Sequence, residues 1–192
     1  LIEFTYDSWA RKHLDAKEWQ SAIDVYTAGL AKLTRSSHLE NNAKIAWANW
    51  AEALQTDGRI DEALKILKQA DKAFPKADFV KQQAWIFIGP GEEAIKLKKW
   101  DDAIAAVAPG LKKLDEAPRK ELEKWANAIY LRWSAQELRD SNYDAAVTVI
   151  EKGLLAQPND SGLAQQLDYS GQEWAKNKSK KAGDAAARKV LL

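Results

Sequence analysis

Large and small hydrophobic side chains recur along the chain at a period of about 41 residues. Four short blocks carry the repeat, and in each block a large residue is followed three positions later by Ala and then by an aliphatic residue. The large residues are Trp19, Ile60, Trp100 and Tyr143, which lie 41, 40 and 43 positions apart. A fixed period of this length is typical of repeat proteins, in which each copy forms one structural unit.

Three further positions keep the same spacing to the large residue of each block. Ten residues before it lies another bulky position, occupied by Trp9, Trp50, Pro90 and Trp133. A small side chain comes directly after, at Ala10, Ala51, Gly91 and Ser134. Seven residues beyond the Ala of each block lies a second small residue, at Gly29, Ala70, Gly110 and Gly153. A fifth copy aligns through Trp174, Ala175 and Ala187, with Asp184 where the large residue is expected.

This spacing predicts two helices in each copy. Residues three, four or seven positions apart lie on one side of a helix, so the bulky and small residues form stripes that interdigitate across the pair. A short polar turn joins the two helices, and Gly58 suits the left-handed residue that ends a helix. Pro75 and Pro158 are expected to end second helices, and Asp160 or Ser161 to cap the helix that follows.

The pattern resembles the tetratricopeptide repeat (TPR), which has a bulky residue, a small one, a Tyr-like residue, an Ala, a second Ala or Gly and a closing Pro at these offsets. The resemblance implies an all-α solenoid, a right-handed superhelix of about five antiparallel helix pairs. We expect one array over residues 1–192, with repeats at approximately 3–37, 38–78, 79–118, 119–161 and 162–192. Because neither end looks like the polar cap of a repeat array, we interpret the chain either as a fragment of a longer one or as an array with disordered flanks.

The chain departs from the family pattern in two ways. The period exceeds the usual 34 residues or so, and the extra residues fall between repeats, as at residues 37–43. We therefore expect the first helix of each pair to be longer by about two turns. The second departure is Gly89-Pro90-Gly91, because a proline inside a helix removes a hydrogen bond and clashes with the preceding turn. We expect the third first-helix to be kinked or split there, with Glu92 and Glu93 beginning its second half.

Composition narrows the function. The 192 residues include 33 Ala and 20 Leu, both strong helix formers, and no Cys, so thiolate metal sites and cysteine nucleophiles are excluded. A net charge of +1 argues against a general nucleic-acid binder, and no stretch reaches the length of a membrane span. No nucleotide, zinc or dinucleotide motif appears, so we expect no cofactor, no metal and no enzyme activity.

Several residues invite a chemical role that a structural one explains better. We expect most of the nine tryptophans to pack between helices, namely Trp9, Trp19, Trp47, Trp50, Trp100, Trp133 and Trp174. Trp85 and Trp125 lie outside these packing positions and stay open to a binding role. No pairing of His13 or His38 with an acidic or hydroxyl group follows from spacing. The adjacent acids Asp101 and Asp102 suit a helix start.

The resemblance to TPR arrays implies a concave groove lined by the first helices. Carried over position by position, it gives these candidate partner-binding residues: Phe4, Asp7, Arg11, Asn49, Glu52, Trp85, Ile88, Glu92, Arg132, Arg139, Tyr169 and Lys176. Asn49 and Arg132 match the kind of residue that clamps the C-terminal carboxylate of chaperones in some TPR domains. Asp7, Trp85 and Gly89 do not, so a chaperone tail is not expected.

The leading hypothesis is therefore a non-catalytic scaffold that holds a partner peptide or helix in this groove by apolar anchors and charged edges. One alternative is a regulatory or substrate-recruiting arm of a larger enzyme or cell-envelope assembly. Another is a homo-oligomeric scaffold, in which a convex face or an uncapped end packs on a neighbouring copy.

Overall fold

The computed structural model describes residues 1–33, 35–75 and 79–190, with side chains described as far as residue 183. Within these ranges all regular structure is helical, as the sequence predicts. The helices are α1 (Ile2–Asp15), α2 (Trp19–Lys32), α3 (Ser37–Thr56), α4 (Ile60–Ala73), α5 (Val80–Lys96), α6 (Trp100–Lys113), α7 (Glu116–Arg139), α8 (Tyr143–Ala156) and α9 (Ser161–Val190). Helix α1 packs on α2, α2 on α3, α3 on α4, and α8 on α9.

The helix lengths confirm where the extra residues of the period go. Helices α2, α4, α6 and α8 each have 14 residues, whereas α3 has 20 and α7 has 24. The first helix of a pair is therefore longer than the second by 6 residues in the second copy and by 10 in the fourth, roughly 1.7 and 2.8 turns at about 3.6 residues per turn. In the first copy α1 and α2 both have 14 residues. Helix α5, with 17 residues, is extended by less.

The same type of turn joins the first helix to the second in each of the four pairs. The residue two positions before the large residue of each block has a left-handed backbone: Lys17 (φ 58°), Gly58 (φ 75°), Lys98 (φ 55°) and Ser141 (φ 62°). In the first turn, the Lys17 N–H donates to the Leu14 carbonyl (2.9 Å) and the Glu18 N–H to the His13 carbonyl (2.8 Å). This is the Schellman arrangement, which satisfies carbonyls at a helix end, and it recurs in the other three turns.

Caps and prolines define the boundaries between copies as predicted. Helix α4 ends at Ala73 and α8 at Ala156, each two residues before a proline. The Asp160 carboxylate accepts the Leu163 N–H at 2.8 Å and so caps α9. The Ser36 hydroxyl accepts the Leu39 N–H at 3.1 Å and caps α3 in the same way.

Small residues on the second helices allow close approach to their neighbours. A Cβ atom added at Gly29 would lie 2.9 Å from Cγ of Tyr6 and 2.9 Å from Cδ1 of Leu39. The ring of Tyr6 belongs to the first helix of the same copy, and Leu39 to the first helix of the next. The predicted interdigitation of large and small stripes is thus confirmed at this contact.

The chain divides into two compact units, Leu1–Gly89 with Lys112–Glu121, and Pro90–Leu111 with Leu122–Leu192. In the first unit the largest fully buried side chains are Tyr26, Leu39 and Leu67. In the second unit a core cluster consists of Tyr130, Val149, Ile150 and Leu163.

One prediction about helices is wrong and another holds only in one of its two forms. The fifth copy does not form a pair, because α9 is one helix of 30 residues over the region where two were expected. Its sequence lacks the large residue that opens each of the other second helices. Of the kink or split expected in the third first-helix, the split does not occur, because α5 is one helix with Pro90 inside it. A side chain from α3, described below, accounts for this.

Six of the seven tryptophans expected to pack between helices do so. Trp47 is buried and stacks on Trp50 with 5.9 Å between ring centroids, and Trp100 stacks on Trp133 at 6.5 Å. Trp19, Trp50, Trp100, Trp133 and Trp174 are half-buried. Trp9 is 52% exposed, so its predicted packing role is wrong. It contacts His13 at the end of its own helix, with 6.2 Å between the rings.

Candidate functional site

A groove lies between α3 and α5, the first helices of the second and third copies. Its volume is about 270 Å³. The residues that line it are Ala48, Ala51, Glu52, Gln55, Leu67, Lys81, Gln82, Trp85 and Ile86. All of them belong to the first compact unit. Two of them, Glu52 and Trp85, are among the twelve residues predicted to contact a partner.

The groove combines an apolar floor with an aromatic wall and charged edges. Ala51, Leu67 and Ile86 are buried and form apolar surface at its base. The indole of Trp85 is 52% exposed. An exposed indole offers a large, rigid apolar surface together with one N–H donor. Glu52 and Lys81 are exposed, so charges of both signs lie at the same opening.

Gln55 fixes the wall of the groove. In a helix the carbonyl of Ile86 would accept the N–H of residue 90, but that residue is a proline and has none. The side-chain amide of Gln55 donates to this carbonyl at 2.8 Å, and also lies 3.3 Å from the carbonyl of Trp85. Gly89 leaves room for it, because a Cβ there would lie 3.0 Å from Nε2 of Gln55. A donor from α3 thus replaces the one that Pro90 lacks.

The second glycine of the Gly-Pro-Gly segment serves a different contact, within the other unit. A Cβ added at Gly91 would lie 2.4 Å from the indole of Trp125. The Nε1 of that indole donates to the Glu92 carboxylate at 2.7 Å. The two tryptophans left open by the sequence therefore differ: Trp125 is half-buried and hydrogen-bonded, while Trp85 is exposed in a groove.

Asp7, predicted to face a partner, is instead a buried hub with 5% exposure. One carboxylate oxygen accepts from the Asn42 amide (2.6 Å) and the Tyr26 hydroxyl (3.2 Å). The other lies 3.0 Å from the Arg11 guanidinium and 3.3 Å from Nε2 of His38. Both oxygens are thus occupied, and Asp7 is not available to a ligand.

These contacts shift two pKa values. Burial by itself would raise the pKa of Asp7, but hydrogen bonds from Asn42 and His38 and the charge of Arg11 outweigh it, so the pKa lies below its ordinary value. Burial, and then the negative charge of Asp7, raise the pKa of Tyr26 to about 12. The carboxylate therefore stays ionised and the phenol stays neutral near pH 7.

The remaining candidates do not converge on the groove. Ile88 is 7% exposed and belongs to the core, so it does not present a side chain to a partner. Glu92 is engaged by Trp125. The others lie on exposed surface: Phe4, Arg11, Asn49, Arg132, Arg139, Tyr169 and Lys176. Of these, Arg139 binds Gln136 (2.9 Å) and Lys176 pairs with Glu173 (2.7 Å) on their own helices.

Seven of the nine lining residues were missed by sequence reasoning, and the polar ones among them are Gln55, Lys81 and Gln82. Lys81 lies four positions before Trp85, a spacing that places both on one side of a helix, so this residue had a usable signal. Gln55 had none, because it lies 31 positions from the carbonyl that it binds. The contacts of His38 with Asp7 (3.3 Å) and of His13 with Glu18 (2.6 Å) also could not be inferred from spacing.

Across the described part of the chain, no cluster of three or more His, Asp or Glu side chains is arranged to hold a metal ion. No helix in the same ranges combines the length and the apolar character needed to cross a membrane.

Comparisons with known proteins give likeness to repeat structures alone. The chain is similar to the crystal structure of a Podosopora anserina putative kinesin light chain with nearly identical TPR-like repeats. The identity is 14%, the match covers 100% of this chain and 96% of that one, and the TM-score is 0.30. A single-residue variant of that protein gives 13% identity, 97% and 92% coverage and a TM-score of 0.30. No family model matches the sequence, and no curated protein matches it.

Proposed function

We propose that this chain is a non-catalytic protein-interaction module that binds a partner peptide or helix in the groove between α3 and α5. The observation that carries the proposal is the half-exposed indole of Trp85, held in a groove of about 270 Å³ between the charges of Glu52 and Lys81. Aromatic anchors with a charged rim are typical of protein recognition surfaces.

The size of the groove favours a side chain over a cofactor. Small-molecule pockets usually have volumes of about 300–1,000 Å³ and enclose most of the ligand. This groove is smaller and open, so it suits one or two apolar side chains of a peptide that continues across the surface. The alanines at its base leave room for such a side chain to lie against Trp85. Glu52 and Lys81 would then select a basic residue on one flank of the peptide and an acidic one on the other.

The backbone of the wall that presents Trp85 is tied to α3, which supports binding by a preformed site. The Gln55 amide donates to the carbonyl of Ile86 and also lies near that of Trp85. Less backbone freedom is then lost when a ligand binds, so more of the contact energy appears as affinity.

The test is a selection of short peptides from a random library on the wild-type chain, followed by calorimetry with the synthesised winners. Trp85→Ala is expected to weaken binding at least about tenfold, as is typical of an aromatic hot spot. Trp9→Ala is the matched control, since Trp9 is equally exposed in the same unit and lies outside the groove. It is expected to change the affinity by less than about twofold.

Lys81→Glu gives a second variant that keeps the indole in place. The selected peptides are expected to carry an acidic residue next to an apolar one, and exchanging that acid for lysine should restore binding to Lys81→Glu. Peptides that bind wild type, Trp85→Ala and Lys81→Glu equally well would refute this site.

A further inference from the structure

A second groove runs along α4, which is the second helix of its pair, whereas the Trp85 groove lies between two first helices. Helix α4 contributes Asp61, Leu64, Lys65, Lys68, Gln69 and Lys72, while Lys113 at the end of α6 and Leu114 directly after it complete the lining. All of these residues belong to the first compact unit. Its floor is apolar, since Leu64 and Leu114 are buried. Its rim is dominated by lysines, and all four of them are exposed.

Two of the four lysines form ion pairs within the protein, and the other two do not. Lys68 lies 2.9 Å from the Asp115 carboxylate, and Lys113 lies 2.6 Å from the Asp61 carboxylate. Lys65 and Lys72 form no ion pair with any residue in the described ranges. The groove therefore keeps a local positive charge, although the whole chain has a net charge of only +1.

The spacing of these lysines matches a helix. Lys65, Lys68 and Lys72 lie at i, i+3 and i+7 on α4, so their ammonium groups form one stripe along the helix axis. At about 1.5 Å per residue the stripe spans roughly 10 Å. Carboxylates at the same spacing on a second helix would lie opposite it, and one leucine of that helix would cover Leu64 and Leu114.

Lysines suit this partner better than a phosphate polymer. Binding along a nucleic acid relies on a broad basic surface and on arginine forks that hold phosphate bidentately. The groove has no arginine among its lining residues, and the positive charge is confined to a few side chains. A short acidic segment needs only a few positively charged side chains to bind.

We propose that the α4 groove docks an acidic amphipathic helix of a partner protein, independently of the Trp85 groove. Lys65 and Lys72 pair with its carboxylates, and Leu64 and Leu114 contact its apolar side. The surface belongs to a second helix of the repeat, so the chain can hold two partner segments at once.

The probe is a fluorescein-labelled helical peptide with glutamates at i, i+3 and i+7, one leucine, and otherwise Ala and Gln, followed by fluorescence anisotropy. Lys65→Glu with Lys72→Glu is expected to weaken binding about tenfold or more. Lys12→Glu with Lys32→Glu changes the net charge equally at exposed sites on α1 and α2, and is expected to change the affinity less than about twofold. A probe with Gln in place of Glu is expected not to bind.

Trp85→Ala is expected to leave binding of the acidic probe unchanged, so failure of this proposal and of the Trp85 groove are separately visible. Equal weakening by both charge-reversed pairs would overturn the proposal, because it would show attraction by net charge alone. Binding of single-stranded DNA or phosphatidylserine vesicles through Lys65 and Lys72, in preference to the peptide, would overturn it in favour of that ligand. No binding of the acidic probe to wild type would overturn it outright.

Discussion

The first three helices and the last three are built on one frame, displaced by 124 positions. Gly29 packs between Tyr6 and Leu39, and Gly153 packs between Tyr130 and Leu163, with the same spacings along the chain. The N-caps Ser36 and Asp160 also correspond. Backbone packing at these contacts is therefore set by the placement of large and small residues.

The residues packed next to these shared contacts differ between the N-terminal and C-terminal trios of helices. The N-terminal trio places Asp7 against Tyr26 and Asn42. The corresponding residues of the C-terminal trio are Leu131, Ile150 and Gln166, and Leu131 packs on the core cluster that contains Ile150. One frame thus accepts either a polar hub or an apolar contact at these positions, and the buried carboxylate of the hub has partners on both oxygens.

The largest expected effect comes from breaking the polar hub alone. Asp7→Leu leaves the Tyr26 hydroxyl and the Asn42 amide without their acceptor, and should lower the free energy of unfolding by about 3 kcal/mol. Guanidinium denaturation followed by tryptophan fluorescence measures the loss. Adding Tyr26→Ile and Asn42→Gln copies the C-terminal trio and is expected to recover most of it. A triple variant no more stable than Asp7→Leu would show that the frames are not interchangeable.

The same substitution has a pH signature. Because the pKa of Asp7 is lowered by folding, its contribution is present above 3.8, the ordinary value, and is lost as the pH falls through the native value. The difference in stability between wild type and Asp7→Leu should therefore shrink below about pH 4 and stay constant near neutrality. A difference that did not change in acid would assign the loss to packing.

The next largest effect comes from the two glycine contacts. A methyl group at Gly29 meets Tyr6 and Leu39 at 2.9 Å, and one at Gly153 meets Cγ of Tyr130 at 3.0 Å. Overlap outweighs the gain in helix propensity, so Gly29→Ala and Gly153→Ala should each destabilise by about 1–2 kcal/mol. Thermal unfolding of both variants compares them directly, and a loss of stability in only one of them would contradict the shared frame.

A smaller effect concerns a buried pair of serines on two first helices, α7 and α9. Ser134 and Ser170 are fully buried and their hydroxyls lie 3.2 Å apart, where the N-terminal trio has the buried pair Ala10 and Ala46. Ser134→Ala alone should cost about 1 kcal/mol, because Ser170 loses a partner. The double change to alanine should cost little more than the single one. Strict additivity in this double-mutant cycle would show that the hydroxyl pair has no coupling.

The smallest effect tests the common turn. Lys17 and Ser141 occupy equivalent left-handed positions, which glycine adopts more readily. Lys17→Gly and Ser141→Gly should each stabilise by about 0.5 kcal/mol, after the extra freedom of glycine in the unfolded chain is included. Gly58→Ala, at the same turn position, should destabilise instead. Midpoints of chemical denaturation would resolve the signs.

The sequence predicted the features that depend on nearby residues. Helix pairs, the turn at Gly58, the ends before Pro75 and Pro158 and the cap at Asp160 all follow from patterns within one copy. Trp85 and Glu52 were correctly placed on neighbouring first helices, although the repeat pattern alone does not reveal the groove that they line.

Contacts between residues that are far apart in the sequence could not be predicted in this way. Asp7 looked like a surface residue because its partners Tyr26 and Asn42 lie 19 and 35 positions away. The α4 groove combines residues of α4 with Lys113 and Leu114, more than 40 positions further along the chain, so no local pattern shows that they meet. Helix α9 was divided in two because small residues repeated in phase, although no large residue opened a second helix.

The continuity of α5 depends on a tertiary contact, the hydrogen bond that the Gln55 side chain donates to it. As an isolated peptide, residues 80–96 would lose a backbone bond at Pro90 and break there. Once α3 is in place, its glutamine supplies the missing donor and the helix runs on. One hydrogen bond donated by the second copy thus completes the helix that begins the third.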